Sequence, residues 1–158
     1  MKHRVLAIGV AIAAAFAALT IVVGCSEPMT LEKYFNEHSS EWTDIQDQLK
    51  DVSGEMFSLD LSVEGNEIKQ IMTYTETFDA EAVAEMKAYF NAQEASLIGQ
   101  IQNSIAQVEK GAGIDGITWY VQFNNGDGSE IFSTTIDKNS QAASAPADTA
   151  TDTSGAGE

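Results

Sequence analysis

Val22-Val23-Gly24-Cys25 is the stretch of this chain whose residue types and order point to a defined reaction. A small residue, Gly24, stands immediately before the chain's only cysteine, and the branched apolar Val22 stands three before it. A basic start (Lys2, Arg4) leads into an apolar run from Val5 to Val23. That is the layout of a lipoprotein signal: a diacylglyceryl group joins the Cys25 thiol, and cleavage after Gly24 makes Cys25 the first residue of the mature chain. Two other readings share the segment. An uncleaved signal anchor would need roughly 20 apolar residues, about what the run supplies. An ordinary secretory signal needs only a small-residue cleavage site. All three export the residues beyond Cys25. In the first, buried lipid CH₂ groups, each contributing about 0.8 kcal/mol, hold the protein on the membrane.

Other residues able to do chemistry are sparser. Asn124-Asn125-Gly126-Asp127-Gly128-Ser129-Glu130 offers amide, carboxylate and hydroxyl oxygens, the ligand type calcium takes. Asp127 and Glu130 are its candidate calcium ligands. The alternating ligands and closing bidentate Glu of an EF-hand are missing, and Asn-Gly and Asp-Gly between alternating strands are hairpin-turn signals. His38 is the only histidine left after cleavage, and it falls on an apolar helical stripe, which favours packing over a ligand or base role. Asp44 with Asp47, and Glu81 with Glu85, share helix faces; paired carboxylates do acid–base work only in a cleft, and these fall on solvent faces. Serine-nucleophile, phosphate-loop and dinucleotide motifs are absent from the sequence. No cofactor is implied and no catalytic residue is assigned.

Charge narrows the partners. The 158 residues carry 8 Lys and Arg against 24 Asp and Glu. Removing residues 1–24 takes Lys2 and Arg4 and no acid, leaving six basic residues against 24 acidic, a net charge of −18. Such a polyanion is repelled by DNA, RNA and anionic headgroups. With Cys25 lipidated there is no disulfide and no thiolate site.

Hydrophobic spacing gives the elements that must position these residues. Leu31, Tyr34, Phe35, His38, Trp42, Ile45 and Leu49 form one helical stripe, with Thr30 as N-cap. The period then becomes two: Phe57, Leu59, Leu61 and Val63 alternate with polar residues, Glu64 to Glu67 turn, and Ile68, Met72, Tyr74 and Phe78 return. Asp79 caps a second helix with its stripe at Val83, Met86, Phe90, Leu97, Ile101, Ile105 and Val108. Gln93, Glu94 and Gly99 interrupt that stripe, so a kink or break is expected between Asn91 and Gly99, and Lys110-Gly111 reads as the stop. Ile117, Trp119, Val121 and Phe123 pair with Phe132, Thr134 and Ile136 in a second hairpin. On this alternation Thr118, Tyr120 and Gln122 lie on the open, polar sheet face, where an exposed aromatic can hold a peptide or a sugar.

The expected fold class is α+β: an antiparallel sheet of about four strands in two hairpins, two amphipathic helices on one face, order α-β-β-α-β-β. The expected organisation is signal 1–24, lipidated Cys and short tether 25–29, one domain 30–137, and an acidic tail 138–158 too poor in large apolar residues to order itself.

The lipobox cysteine, the Leu31-Glu32-Lys33-Tyr34-Phe35 opening, the Val63 to Ile68 turn, and Gly113-Ile114-Asp115-Gly116-Ile117 before the Asn-Gly/Asp-Gly hairpin together resemble an uncharacterised family of small Gram-positive lipoproteins. The resemblance implies export and lipidation and carries over no catalytic residue; the segment after Lys138 looks like an addition to the shared part. Two functions are consistent with these readings. One is a non-enzymatic module at the cell envelope, anchored to the membrane through Cys25, that binds an envelope protein, peptide or wall component. The other is a small acidic hydrolase or calcium-dependent module.

Overall fold

The computed structural model describes residues 29–52 and 56–142. Residues 1–28, with Gly24 and Cys25 of the expected signal, residues 53–55, and those beyond Ala142 lie outside them. Among the described residues no helix is long and apolar enough to cross a membrane.

The chain forms α1 (Leu31–Glu37), α2 (Ser39–Val52), β1 (Phe57–Glu64), β2 (Glu67–Tyr74), α3 (Ala80–Ala112), β3 (Thr118–Asn124) and β4 (Glu130–Ile136). Both expected hairpins are present. The expected wholly antiparallel sheet is not: the strand order is β1-β2-β3-β4, and β2 pairs with β3 in parallel. The element order is α-α-β-β-α-β-β, with three helices instead of two. The parallel pair follows from α3. A helix between two neighbouring strands carries the chain back to the end where the first strand began, so the next strand runs the same way. From Phe90 to Val108, its first and last buried residues, α3 spans about 27 Å. That matches the length of a seven- or eight-residue strand.

The single N-terminal helix of the expectation is two helices. His38 sits between them at φ −116°, ψ 49°, and its ring Nδ1 lies 2.9 Å from the Tyr34 carbonyl oxygen. A side chain that competes for that carbonyl, followed by Ser39-Ser40, weakens the helical ladder locally. The apolar spacing continues across the break, so periodicity alone did not reveal it. In α3 the opposite holds. The helix is continuous through Asn91–Gly99 and runs past Gly111 to Gly113, which adopts the left-handed conformation (φ 65°) and donates to the Glu109 carbonyl. The N-caps are as expected: Thr30 accepts from the Lys33 amide and Asp79 from the Ala82 amide.

One face of the sheet is buried under the helices. Phe57, Leu61, Ile68, Met72, Tyr74, Trp119, Val121, Phe123, Phe132 and Ile136 meet Leu31, Phe35, Ile45, Phe90, Ile101, Ile105 and Val108 there. Phe90 packs on Phe123 and Phe132. One buried polar residue joins this face. Gln70 takes the Trp119 indole N–H on its Oε1 at 3.1 Å, which lets an amide sit in the core. At β4 the register shifts between Phe123 and Asn124, and the extra residue of this bulge, Ile131, is buried.

The two ends of the sheet are tied differently. At one end the Gly65-Asn66 turn caps α1: Asn66 Oδ1 accepts from the Leu31 amide at 3.0 Å, the Gly65 carbonyl from the Glu32 amide, and Asn66 Nδ2 reaches the Asp115 carbonyl. At the other end Asn125 clamps Phe78. Its Oδ1 accepts from the Phe78 amide at 2.8 Å and its Nδ2 donates to the Phe78 carbonyl at 3.1 Å. This holds the β3–β4 loop against the segment that leads into α3. Beyond β4 the described chain continues past Lys138 to Ala142. Gln102 Nε2 donates to the carbonyls of Asp137 and Ser140, and Ala142 packs on the core.

Burial has a titration consequence. It pushes the Tyr74 hydroxyl up to about 12. The Tyr34 hydroxyl is pushed up further, first by burial and then by its hydrogen bond to Glu41. Unfolded tyrosines ionise near pH 10. Above that pH the unfolded chain binds fewer protons than the folded one, so stability is full below about pH 10 and falls as pH rises toward 12. Urea unfolding across this alkaline range should show that decline, and Tyr74→Phe should remove part of it. An unchanged slope in the variant would show that Tyr74 is not shielded in the fold.

Candidate functional site

The outer sheet face is built by the residues that alternate with the core. β3 is an interior strand, paired with β2 on one side and β4 on the other, so its outer residues lie mid-sheet. Thr118, Tyr120 and Gln122 all fall on this face and all are half-buried. Asn124, which is buried, completes the row. The Tyr120 hydroxyl donates to Gln122 Oε1 at 2.9 Å, and Gln122 Nε2 donates to Asn124 Oδ1 at 2.8 Å. The first bond draws the tyrosine along the strand, and the two together fix all three side chains in one chain of hydrogen bonds.

The register supplies the neighbours. Lys69 and Thr135 flank Tyr120, Ile71 and Ser133 flank Gln122, and Thr73 and Glu130 flank Asn124. Ile71 puts a half-buried apolar surface beside Gln122. Lys69, the basic residue of this group, forms ion pairs with Glu64 and Glu67. Their hydrogen bond and mutual charge lower the Glu64 carboxyl and raise the Lys69 ammonium. The strip along β3 itself carries no charge; carboxylates stand around it at Asp60, Glu64, Glu67 and Glu130.

Of the calcium candidates, Asp127 lies in the β3–β4 loop and Glu130 stands beside Asn124 at the end of the row. Asp127 Oδ1 accepts from the Ser129 amide at 2.9 Å and from its hydroxyl at 2.6 Å, and these bonds hold the Asp127 carboxyl below its ordinary range. Glu130 Oε1 accepts from the Ser133 hydroxyl at 2.9 Å. Each carboxylate thus serves its own turn or strand. Among the described residues no three of His, Cys, Asp and Glu gather into a group able to hold a metal.

The remaining candidates resolve into structure. His38 stacks on Tyr34 with ring centroids 4.2 Å apart at the α1–α2 break. Trp119 is core, and Trp42 packs partly buried against Phe35. Asp44, Asp47, Glu81 and Glu85 are exposed on their helices. The sequence pattern put Asn124 in the turn segment and not on the sheet face, and it did not single out Ile71 or Gln70. Extending the two-residue alternation by one step along β3 and β2 would have placed the first two on the outer face. Gln70 falls on the apolar side of β2, and the signal there was an amide among core positions.

No curated protein and no solved structure matches the chain. A family model matches residues 31–136, from the first residue of α1 to the last of β4, and so takes in every element described above. The chain belongs to the family described as a domain of unknown function (DUF4854).

Proposed function

We propose that this chain is an exported lipoprotein of a Gram-positive cell envelope, held on the membrane by diacylglyceryl on Cys25, whose folded body is a non-enzymatic binding module. The observation that carries the binding role is the Tyr120–Gln122–Asn124 row, an ordered and uncharged strip at the centre of an open sheet face. Support for the anchor comes from Val22-Val23-Gly24-Cys25 and its apolar lead. The tether is short. Met29 already packs against the core, and the Cα atoms of Cys25 and Met29 can lie at most about 14 Å apart. The end of the sheet that carries the Gly65-Asn66 turn therefore stands next to the membrane. β3 starts from that end at Thr118 and runs to Asn124.

Intact mass tests the anchor. Protein extracted from native membranes should have the mass of a chain beginning at Cys25 plus a diacylglyceryl group, and Cys25→Ala should lose both the lipid and the cleavage. An uncleaved, unlipidated wild-type chain would overturn it. For the binding face, a photo-crosslinking residue at Thr135, exposed beside Tyr120, should capture an envelope component in intact cells. The same probe at the exposed Ala88 of α3 should not; equal labelling at both would count against the face.

A further inference from the structure

We infer that the ligand of the β3 face is a neutral saccharide chain, an inference that rests on the binding role proposed above. Three observations point there. First, the main chain of β3 is used on both sides, by β2 and by β4. An extended peptide binds a sheet by adding to a free edge, through main-chain hydrogen bonds. No such bonds are open mid-sheet, so whatever binds there is read by side chains alone.

Second, the side chains are those that a sugar ring uses. A pyranose has an apolar C–H face and a rim of hydroxyls. The Tyr120 ring, with Ile71 one row away, offers the apolar contact. The half-buried Gln122 offers a carboxamide with two donors and a two-lone-pair acceptor, a set that pairs with neighbouring hydroxyls, and the buried Asn124 anchors it. The internal bonds use only part of that capacity, one donor and one lone pair of Gln122. They hold the groups in place before a ligand arrives, which lowers the ordering cost of binding. Ser133 and Thr135 on β4 extend the hydroxyl field.

Third, the charge pattern selects a neutral ligand. The chain is strongly acidic, yet the strip is uncharged. The carboxylates around it repel phosphate- or carboxylate-bearing polymers. A cationic ligand would seek those carboxylates, of which Glu64 and Glu67 are paired with Lys69, and not the uncharged strip.

The test is ligand-observed saturation-transfer NMR on the lipoprotein extracted in detergent, with two probes: an N-acetylglucosamine tetramer and a neutral glucan tetramer. At least one should receive saturation at its ring C–H protons. Tyr120→Ala or Gln122→Ala should weaken binding tenfold or more, while Asn103→Ala on the exposed side of α3 should leave it unchanged. Tyr120→Phe keeps the ring and loses the hydroxyl. It should bind several-fold more weakly than wild type but better than Tyr120→Ala, and it covers the case where the alanine variant does not fold. No transfer to either probe up to about 10 mM, a range that reaches weak millimolar binding, would overturn the inference. So would transfer insensitive to Tyr120. The Thr135 crosslinker separates this failure from failure of the binding role. A captured protein with silent oligosaccharides removes the saccharide and keeps the face. Silence in both removes both. Saccharide binding by a chain that proves unlipidated keeps the face and removes the anchor.

Discussion

Trp119→Ala should cost about 3–5 kcal/mol of folding free energy, a large share of the ~5–15 kcal/mol that stabilises a domain of this size. Trp119 is 1% exposed, the largest fully buried side chain of the core. It stands between Ile68 of β2 and Ile136 of β4 in register, so truncation opens a cavity where the parallel and antiparallel pairings meet. Packing around a lost indole collapses only in part, and the residual void adds to the lost transfer energy. Urea unfolding followed by circular dichroism measures the loss; a change under about 1 kcal/mol would contradict the buried position. Trp119→Phe separates shape from hydrogen bonding. It keeps most of the ring but withdraws the donor from the buried Gln70 Oε1. Stranding a buried acceptor costs about 1–3 kcal/mol, and Gln70→Leu in the same chain should recover much of that.

Gly126→Ala should be nearly as damaging, at about 2–4 kcal/mol, although the residue is at the surface. A Cβ at this position would lie 2.6 Å from the Glu76 carbonyl carbon, 2.7 Å from its oxygen and 2.8 Å from the Thr77 nitrogen. All three are backbone atoms and cannot swing aside. Relief requires the β3–β4 loop to lift from the segment before α3, which breaks the Asn125 clamp on Phe78. Asn125 is 3% exposed, so water does not readily replace those bonds. Gly128 is the control. It has open space around its Cβ position but φ of +84°, so alanine there meets only conformational strain, about 1–2 kcal/mol. Hydrogen exchange should report the difference: Gly126→Ala should expose the Phe78 amide and Gly128→Ala should not. Equal and small effects of the two substitutions would mean that the loop is not seated on Glu76–Phe78.

The Asn-Gly pair at 125–126 marks what was readable and what was not. As sequence it is a turn between two alternating strands, and the hairpin is there. Its tertiary role, a clamp on a segment some 47 positions earlier in the chain, left no local trace. A turn needs those residue types for its own dihedrals, and their choice does not reveal a second use. The Gly65-Asn66 turn repeats the lesson, since its capping of Leu31 and Glu32 joins residues distant in sequence. His38 is a third case. The apolar stripe continues through it, because an interruption of one residue preserves the facing of the side chains on either side.

Local periods were legible along the chain: two hairpins, the caps at Thr30 and Asp79, the helical stripes, and which side of β3 carries Tyr120. Each of these depends on neighbours within a turn or a strand, where side-chain spacing and backbone geometry act directly. Long-range packing set the rest: that β2 and β3 lie side by side in parallel, that the helix between them is unbroken, and that Gln122 and Asn124 join Tyr120 in one row. Strand neighbours across a long helix are chosen by how the whole core closes: α3 must lay Phe90 through Val108 across the sheet, and Trp119 must find Gln70. That choice depends on the summed fit of distant surfaces, a quantity that no short window of residues contains.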